Sequence, residues 1–314
     1  MSGTPAAGGA PVPGAGPSAR GFRWPEGVRA AACFTFDLDA ESGILFEHPE
    51  AAGWLDVLSH QAYGPRTGVY RLLGVLARQD VRATFFVPGW VAERWPDAVR
   101  AIRDDGHEIG HHGYFHEGSR GVTAPELERR LLRGFEALDA VAGVRPIGYR
   151  APMWELSAEM PAILARHGFR YESSLMDSDV PYLLDCGEGS GGSPGSGNAS
   201  LVELPVQWAL DDWEAYAYLP GITGSGWIAR PSEMFDRWTD ELDSLIAEGG
   251  LFVLTNHPFL SGRASRAAAL ETLITHAKLS QGLWVATCSE IATHVETLEL
   301  QPYAPKPVEL PRSG

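Results

Sequence analysis

The chain has 314 residues, 44% of them hydrophobic and 21% charged, so a sizeable core is available and a wholly disordered chain is excluded. With 25 Lys and Arg against 40 Asp and Glu, the net charge is −15, which repels phosphate backbones and anionic lipid and speaks against a nucleic-acid or membrane-surface partner. No apolar run approaches the roughly 18–20 residues of a membrane span.

Residues 1–21 are rich in Gly, Ala and Pro and read as a disordered tail without a basic-then-apolar leader. The cysteines Cys33, Cys186 and Cys288 are far apart and form no CxxC pair, as expected of buried thiols in a reducing compartment. The expectation is a cytoplasmic globular protein whose partner is a neutral or cationic small molecule.

In chain order, 30–36 (AAACFTF) is a short apolar strand ending in Asp37-Leu38-Asp39. Residues 67–79 have helical spacing, and 82–87 are again a strand, ended by Pro88-Gly89. The alternation continues with helix 96–105, strand 107–111, helix 124–141, strand 147–150, helix 157–167 and strand 169–173. After the low-complexity stretch 187–198, read as a surface loop, come strand 201–208, helix 231–248, strand 250–256, helix 266–279, strand 283–286 and a helix from Ser289. Residues 22–300 read as one domain and 301–314 as a C-terminal tail. Repeated strand–helix units imply parallel strands, in an open doubly wound sheet or a barrel. Polar groups follow several different strands and there is no GxGxxG or P-loop, which favours a barrel.

Five segments carry candidate chemistry. Asp37 and Asp39 are two apart, so on an extended backbone both face one cavity, while Glu41 reads as peripheral. Residues 106–116 (GHEIGHHGYFH) hold four of the chain's ten histidines; His112 and His116, four apart, can reach one metal, which with a carboxylate leaves open coordination positions. Arg150, in Gly148–Trp154, sits at a strand end where it can orient a carboxylate. Trp208 to Trp213 join indoles with Asp211 and Asp212, as a substrate wall or as a packed pair with capping acids. Residues 251–258 deliver His257 to a strand end, well placed as a proton donor.

In this order the segments resemble the polysaccharide deacetylase (NodB-homology) family, from about Ala30 to Thr293, through TFDLD at 35–39, HGYFH at 112–116, RAPMW at 150–154 and TNHP at 255–258. Two features depart from the family pattern: the acids are spaced Asp-x-Asp instead of adjacent, and Gly113 stands where Ser or Thr is usual. The wording of GHEIGHHGYFHE, LPVQWALDD and HPFLSGR is most similar to a branch of peptidoglycan-deacetylase-like, cyclic-imide-hydrolase-like and allantoinase-like proteins.

The resemblance implies a distorted (β/α)7 barrel and a hydrolase of non-peptide C–N bonds. It implies one divalent ion on Asp39, His112 and His116, with zinc favoured and Co, Ni or Fe fitting comparably. By the same likeness Asp37 is the general base held by Arg150, and His257 protonates the leaving nitrogen. Trp154, Trp208, Asp211 and Asp212 would line the substrate, either acid supporting Arg150 or His257. His111 is expected to be structural. By similarity to that branch a homo-oligomer is expected too, a tetramer among the options, with Trp54, Trp90 and Trp95 as either interface or core. A small soluble amide, imide or N-acetyl compound is the expected substrate, with a polysaccharide deacetylase and an inactive ligand-binding barrel as the competing readings.

Overall fold

The computed structural model describes residues 19–187, 200–222 and 227–305. The strands are β1 (Ala30–Asp37), β2 (Thr84–Val87), β3 (Glu108–His111), β4 (Gly148–Tyr149), β5 (Tyr171–Glu172), β6 (Tyr182–Asp185), β7 (Ser200–Glu203), β8 (Leu251–Asn256) and β9 (Leu283–Val285). They form one sheet in the order β6-β7-β5-β4-β3-β2-β1-β8, with β9 also paired to β1. From β7 to β8 along this path every pairing is parallel, and β6 alone runs antiparallel, on β7. The sheet curls toward closure: Leu251 N–H donates to Asp179 O at 2.8 Å, and Asp211 bridges to Thr255 on the free edge of β8. The result is a curled α/β half-barrel of nine strands, within the barrel class, a distorted (β/α)7 barrel, that the alternation and the family resemblance predicted.

β1 shows why its sequence is almost continuously apolar. All of its residues are buried, because both of its faces are covered. Phe34 and Phe36 face outward into the layer shared with the helices, beside Leu72, Leu242 and Leu270. Cys33 faces the barrel interior with Phe86, Tyr171 and Val253. By the two-residue period, Thr35 and Asp37 follow Cys33 inward. Parallel pairing then puts every strand's C-terminal end, and the loop after it, at one rim.

The helices are α1 (Ser42–Leu45), α2 (Leu55–Tyr63), α3 (Val69–Gln79), α4 (Gly89–Arg94), α5 (Pro96–Asp104), α6 (Ala124–Ala142), α7 (Met160–Arg166), α8 (Asp212–Tyr216), α9 (Pro231–Glu248), α10 (Ala264–Leu279) and α11 (Cys288–Val295). Their ends follow local chemistry. Pro opens α6 and α9, where its missing N–H is harmless, and Gly143 and Gly249 end them in the left-handed conformation. Thr287 and Glu290 close a capping box at α11. None of the described helices is long and apolar enough to cross a membrane.

Several differences from the sequence reading have clear causes. The strand expected at 201–208 stops at Glu203, since Pro205 offers no N–H to the ladder, and Trp208–Leu210 is a short 3-10 turn. Helices α1, α2, α4 and α8, four to nine residues long, are too short for periodicity to reveal. Ala19 is buried and accepts from Phe22 N–H, and Tyr303 pairs with β6, so parts of both expected tails pack on the body. Residues 1–18, 306–314 and most of the predicted 187–198 loop lie outside the described residues.

Trp90 and Trp95 are partly buried against the outer core, and Trp95 Nε1–H donates to Glu41 at 2.7 Å. Trp54, by contrast, is 42% exposed.

One close approach positions the β8 exit. A Cβ at Gly68, just before α3, would lie 2.0 Å from the carbonyl oxygen of Pro258. Gly68→Ala is therefore expected to destabilise the fold by about 1–3 kcal/mol, the range for overpacking. An unchanged urea midpoint with unchanged slope would show that this contact is not tight.

Candidate active site

The site is built on β1. Thr35 Oγ1 donates to Leu254 O at 2.9 Å and accepts from Arg150 Nη1 at 2.8 Å. The same Nη1 donates to Asp37 Oδ1 at 2.9 Å. Ser173, just after β5, accepts from the other side of the guanidinium: its carbonyl from Nε at 3.2 Å and its hydroxyl from Nη2 at 3.1 Å. The Arg150 carbon lies 4.2 Å from the Phe86 ring centre, and Arg150 is fully buried. Burial alone would raise the Asp37 carboxyl, but Arg150, His112 and His257 bring it below the ordinary carboxylate value. Asp37 is thus a buried carboxylate kept ionised, with Oδ2 turned toward the cavity side at 3.8 Å from His112 Nε2.

Asp39, His112 and His116 converge beside it, each offering a ligand atom within 4.8 Å of the others. His112 Nε2 is 3.4 Å from Asp39 Oδ1, and His116 Nε2 is 3.5 Å from Asp39 Oδ2. Donors about 2.0–2.2 Å from one tetrahedral ion lie roughly 3.3–3.6 Å apart, so the set fits a divalent cation. His112 Nδ1–H donates to the carbonyl of Arg150 at 2.8 Å, which aims the Nε2 lone pair at the cluster. Asp39 Oδ1 is buried without a hydrogen-bond partner. Burial lowers the His112 imidazole and takes that of His116 down to about 4, so both stay neutral at pH 7, as ligation requires.

On the opposite wall, His257 Nε2 lies 3.4 Å from Asp39 Oδ2, and its Nδ1–H donates to Asp212 Oδ1 at 2.7 Å. Asp212 also accepts the backbone N–H of His257, at 2.9 and 3.0 Å, and the Ser261 hydroxyl. Burial works against protonation of His257, yet the Asp212 bond and charge raise it to about 10. Asp211 lies farther off, 3.6 Å from Nδ1, and accepts from Trp213 N–H; burial lifts its carboxyl to about 7.

The sequence left open which acid supports which group: Asp212 holds His257, and among the described contacts neither acid touches Arg150. The expectation that Asp212 lines the substrate is corrected. It is fully buried behind His257, away from the cavity wall, because all its acceptor capacity is turned to residues 257–261.

The cavity above these groups measures about 270 Å³. It is lined by Asp37, Asp39, His112, His116, Asp211 and His257, together with Trp154, Trp208, Trp213 and Ile44. The Trp154 and Trp208 rings are 4.6 Å apart, with Trp208 half exposed at the mouth. Ala40, His116, Met153 and Trp154, all next to or in the site, have positive φ, a conformation costing on the order of 1 kcal/mol or more for residues with a Cβ.

His111 points away, with Nε2–H donating to Leu131 O at 3.0 Å and Nδ1 accepting from Gly113 N–H, a packing role as expected. Glu41 is buried and pairs with Arg94 at 3.0 Å outside the cavity. Sequence reasoning missed Thr35, Ser173, Ser261 and the α1 wall. Thr35 was accessible, being two residues before Asp37 on the same strand face; the serines carry no local signal.

Comparison with known proteins identifies the family. Residues 62–172 match the family model described as polysaccharide deacetylase. A peptidoglycan deacetylase of Helicobacter pylori is 32% identical over 77% of this chain and 91% of its own. A Mycobacterium smegmatis structure classed with the polysaccharide deacetylases superposes with a TM-score of 0.88 at 48% identity, over 92% of this chain and 98% of that one. An allantoinase shares the fold at 24% identity, with a TM-score of 0.74 over 89% of this chain and 94% of that one. Fold and relatives together define a half-barrel protein of the deacetylase class. The chain belongs to the polysaccharide deacetylase family.

The Asp212–His257 pair has a measurable signature. A histidine raised from 6.5 to about 10 on folding adds stability that is complete below pH 6.5 and is lost as pH climbs through about 10. In metal-free protein, an NMR titration is expected to show this high value, and Asp212→Asn to lower it and flatten stability over that window. A His257 titrating at its ordinary value in the wild type would contradict the pairing.

Proposed function

We propose that this protein is a metal-dependent hydrolase that cleaves a C–N bond in a small amide, cyclic imide or N-acetyl compound. The observation that carries this reading is the convergence, in one cavity of about 270 Å³, of an arginine-held carboxylate, a three-donor cluster and an acid-backed histidine.

Asp39, His112 and His116 would hold the ion, zinc by the borderline character of imidazole and carboxylate donors, with Co, Ni or Fe acceptable to the same set. Such an ion makes bound water acidic and polarises a carbonyl. Asp37 takes the proton of the attacking water, and Arg150 keeps it ionised and aimed for that purpose. As the C–N bond breaks, His257 gives a proton from Nε2 to the departing nitrogen, so that an amine and not an amide anion leaves. Asp212 holds the ring through Nδ1 and stabilises its charged form. Water adds O–H to the acyl carbon and nitrogen gains the proton, so atoms balance.

The cavity walls support a small substrate. Ile44 and His48 from the α1 segment line the cavity together with Trp154, Trp208 and Trp213, and its volume of about 270 Å³ suits a compact ligand. Five carboxylates line the cavity (Asp37, Asp39, Glu47, Asp211 and Glu214), with no Lys or Arg among the described lining residues. The field therefore favours a neutral or cationic ligand. The second reading, removal of acetyl groups from a polymer, is favoured by the likeness to the Helicobacter peptidoglycan deacetylase.

Asp37→Asn and His257→Ala are expected to keep stoichiometric metal while losing ~10²–10⁴-fold in kcat. His112→Ala/His116→Ala should lose the metal itself. Elemental analysis beside single-turnover assays checks both, and wild-type turnover by Asp37→Asn would refute the base assignment.

The substrate is tested by kcat/KM on cyclic imides, hydantoins and small N-acetyl amines beside an N-acetylglucosamine oligomer series. Turnover of the small compounds is expected. Rates that climb steeply with oligomer length, with nothing on the small compounds, would establish the polymer reading instead.

A further inference from the structure

Two buried acids outside the mechanism lie behind Arg150. Glu172 and Glu203 are register partners on the parallel strands β5 and β7, and both are fully buried. Their neighbours Tyr171 and Val202 point into the barrel interior, so the acids point to the opposite face of the sheet. Both accept the same backbone donor: Ser174 N–H lies 3.1 Å from Glu172 Oε2 and 3.2 Å from Glu203 Oε1. Glu203 Oε1 also accepts Leu175 N–H at 2.9 Å, while Glu203 Oε2 is buried without a partner.

Two carboxylates this close in a dry site cannot both carry charge. A proton on Glu203 Oε2, donated to Glu172, satisfies the orphaned atom and removes the repulsion. Burial pushes both carboxyls up; the neighbouring Glu172 charge raises Glu203 further, while Glu203 and the Ser174 hydroxyl hold Glu172 back.

The pair is hydrogen-bonded to the loop that grips Arg150. Glu172 Oε1 accepts the Ser174 hydroxyl, whose oxygen accepts Ala151 N–H at 2.8 Å, one residue after Arg150. Ser173, between Glu172 and Ser174, supplies both contacts to the far side of the guanidinium. We propose that Glu172 and Glu203 form a positioning pair, a carboxylic acid bonded to a carboxylate, that holds the Ser173–Ser174 loop in the conformation that aims Arg150 at Asp37. The inference rests on the proposed role of Arg150 and Asp37.

The test compares Glu203→Gln, which keeps an N–H donor and a carbonyl acceptor, with Glu203→Met, which keeps only bulk. On the fastest substrate of the panel above, Glu203→Met is expected to lose roughly 10- to 100-fold in kcat, the scale of a small misplacement of a catalytic group. KM should stay within about twofold, since the Arg150 side chain does not line the cavity. Glu203→Gln should retain kcat within about twofold. In an Arg150→Ala background, Glu203→Met should cost nothing further.

A protonated-carboxyl infrared band in the wild type, absent from Glu203→Gln, provides a readout even where Glu203→Met does not fold. Absence of that band, equal damage by Gln and Met, or an undiminished effect in the Arg150→Ala background would each overturn the proposal. Full activity of Arg150→Ala itself would instead remove the reading on which it rests.

Discussion

The structure depends on one buried contact, the Arg150 guanidinium between Asp37 and Ser173 inside the barrel. It joins β1, β4 and β5 through Thr35, Asp37 and Ser173, and places a permanent positive charge where no water reaches. Such a pair is poor evidence for stability, because removing two ions from water offsets most of their attraction. Its consequence is geometric. With five directional donors in a plane, arginine fixes the relative positions of three strand ends, and the carboxylate that faces the cavity is one of them.

The rest of the site is arranged around that anchor. The carbonyl of Arg150 receives His112 Nδ1–H, so the residue that orients Asp37 also orients a metal-ligand candidate. Asp39 lies two residues beyond Asp37 and faces His112, His116 and His257. Opposite, Asp212 fixes His257 by three contacts from one carboxylate. Asp37, His112 and His257 are thus each backed by a second group, the Arg150 guanidinium, the Arg150 carbonyl and Asp212 respectively. This is how a fold places ionisable side chains within a fraction of an ångström of a working geometry.

The backbone contributes as well. Left-handed conformations at Ala40, His116, Met153 and Trp154 cluster where β1, β3 and β4 give way to loops. Residues with a Cβ hold such conformations only where surrounding contacts over-determine them. The hydrogen bond from Trp154 N–H to Ala151 O and the buried Pro152 supply that constraint after β4. The turn delivers Met153 and Trp154 to the cavity wall immediately after Arg150 has been committed to the interior.

By itself the sequence determined which side chains are candidates for the site. Asp37 and Asp39 share a face by the strand period, His112 and His116 recur at a ligand spacing, and apolar strands ending in polar residues announce a common rim. These are local properties, readable wherever the backbone period is regular. Tertiary structure alone decided the pairings: Arg150 with Asp37 across 113 residues, and Asp212, not Asp211, with His257 across 45. It also decided the size of the cavity, the inward packing of Trp95, and the meeting of Glu172 with Glu203. Each of these depends on the register between strands distant in the chain, where a shift of one residue exchanges the inward face for the outward one. No local pattern encodes that register.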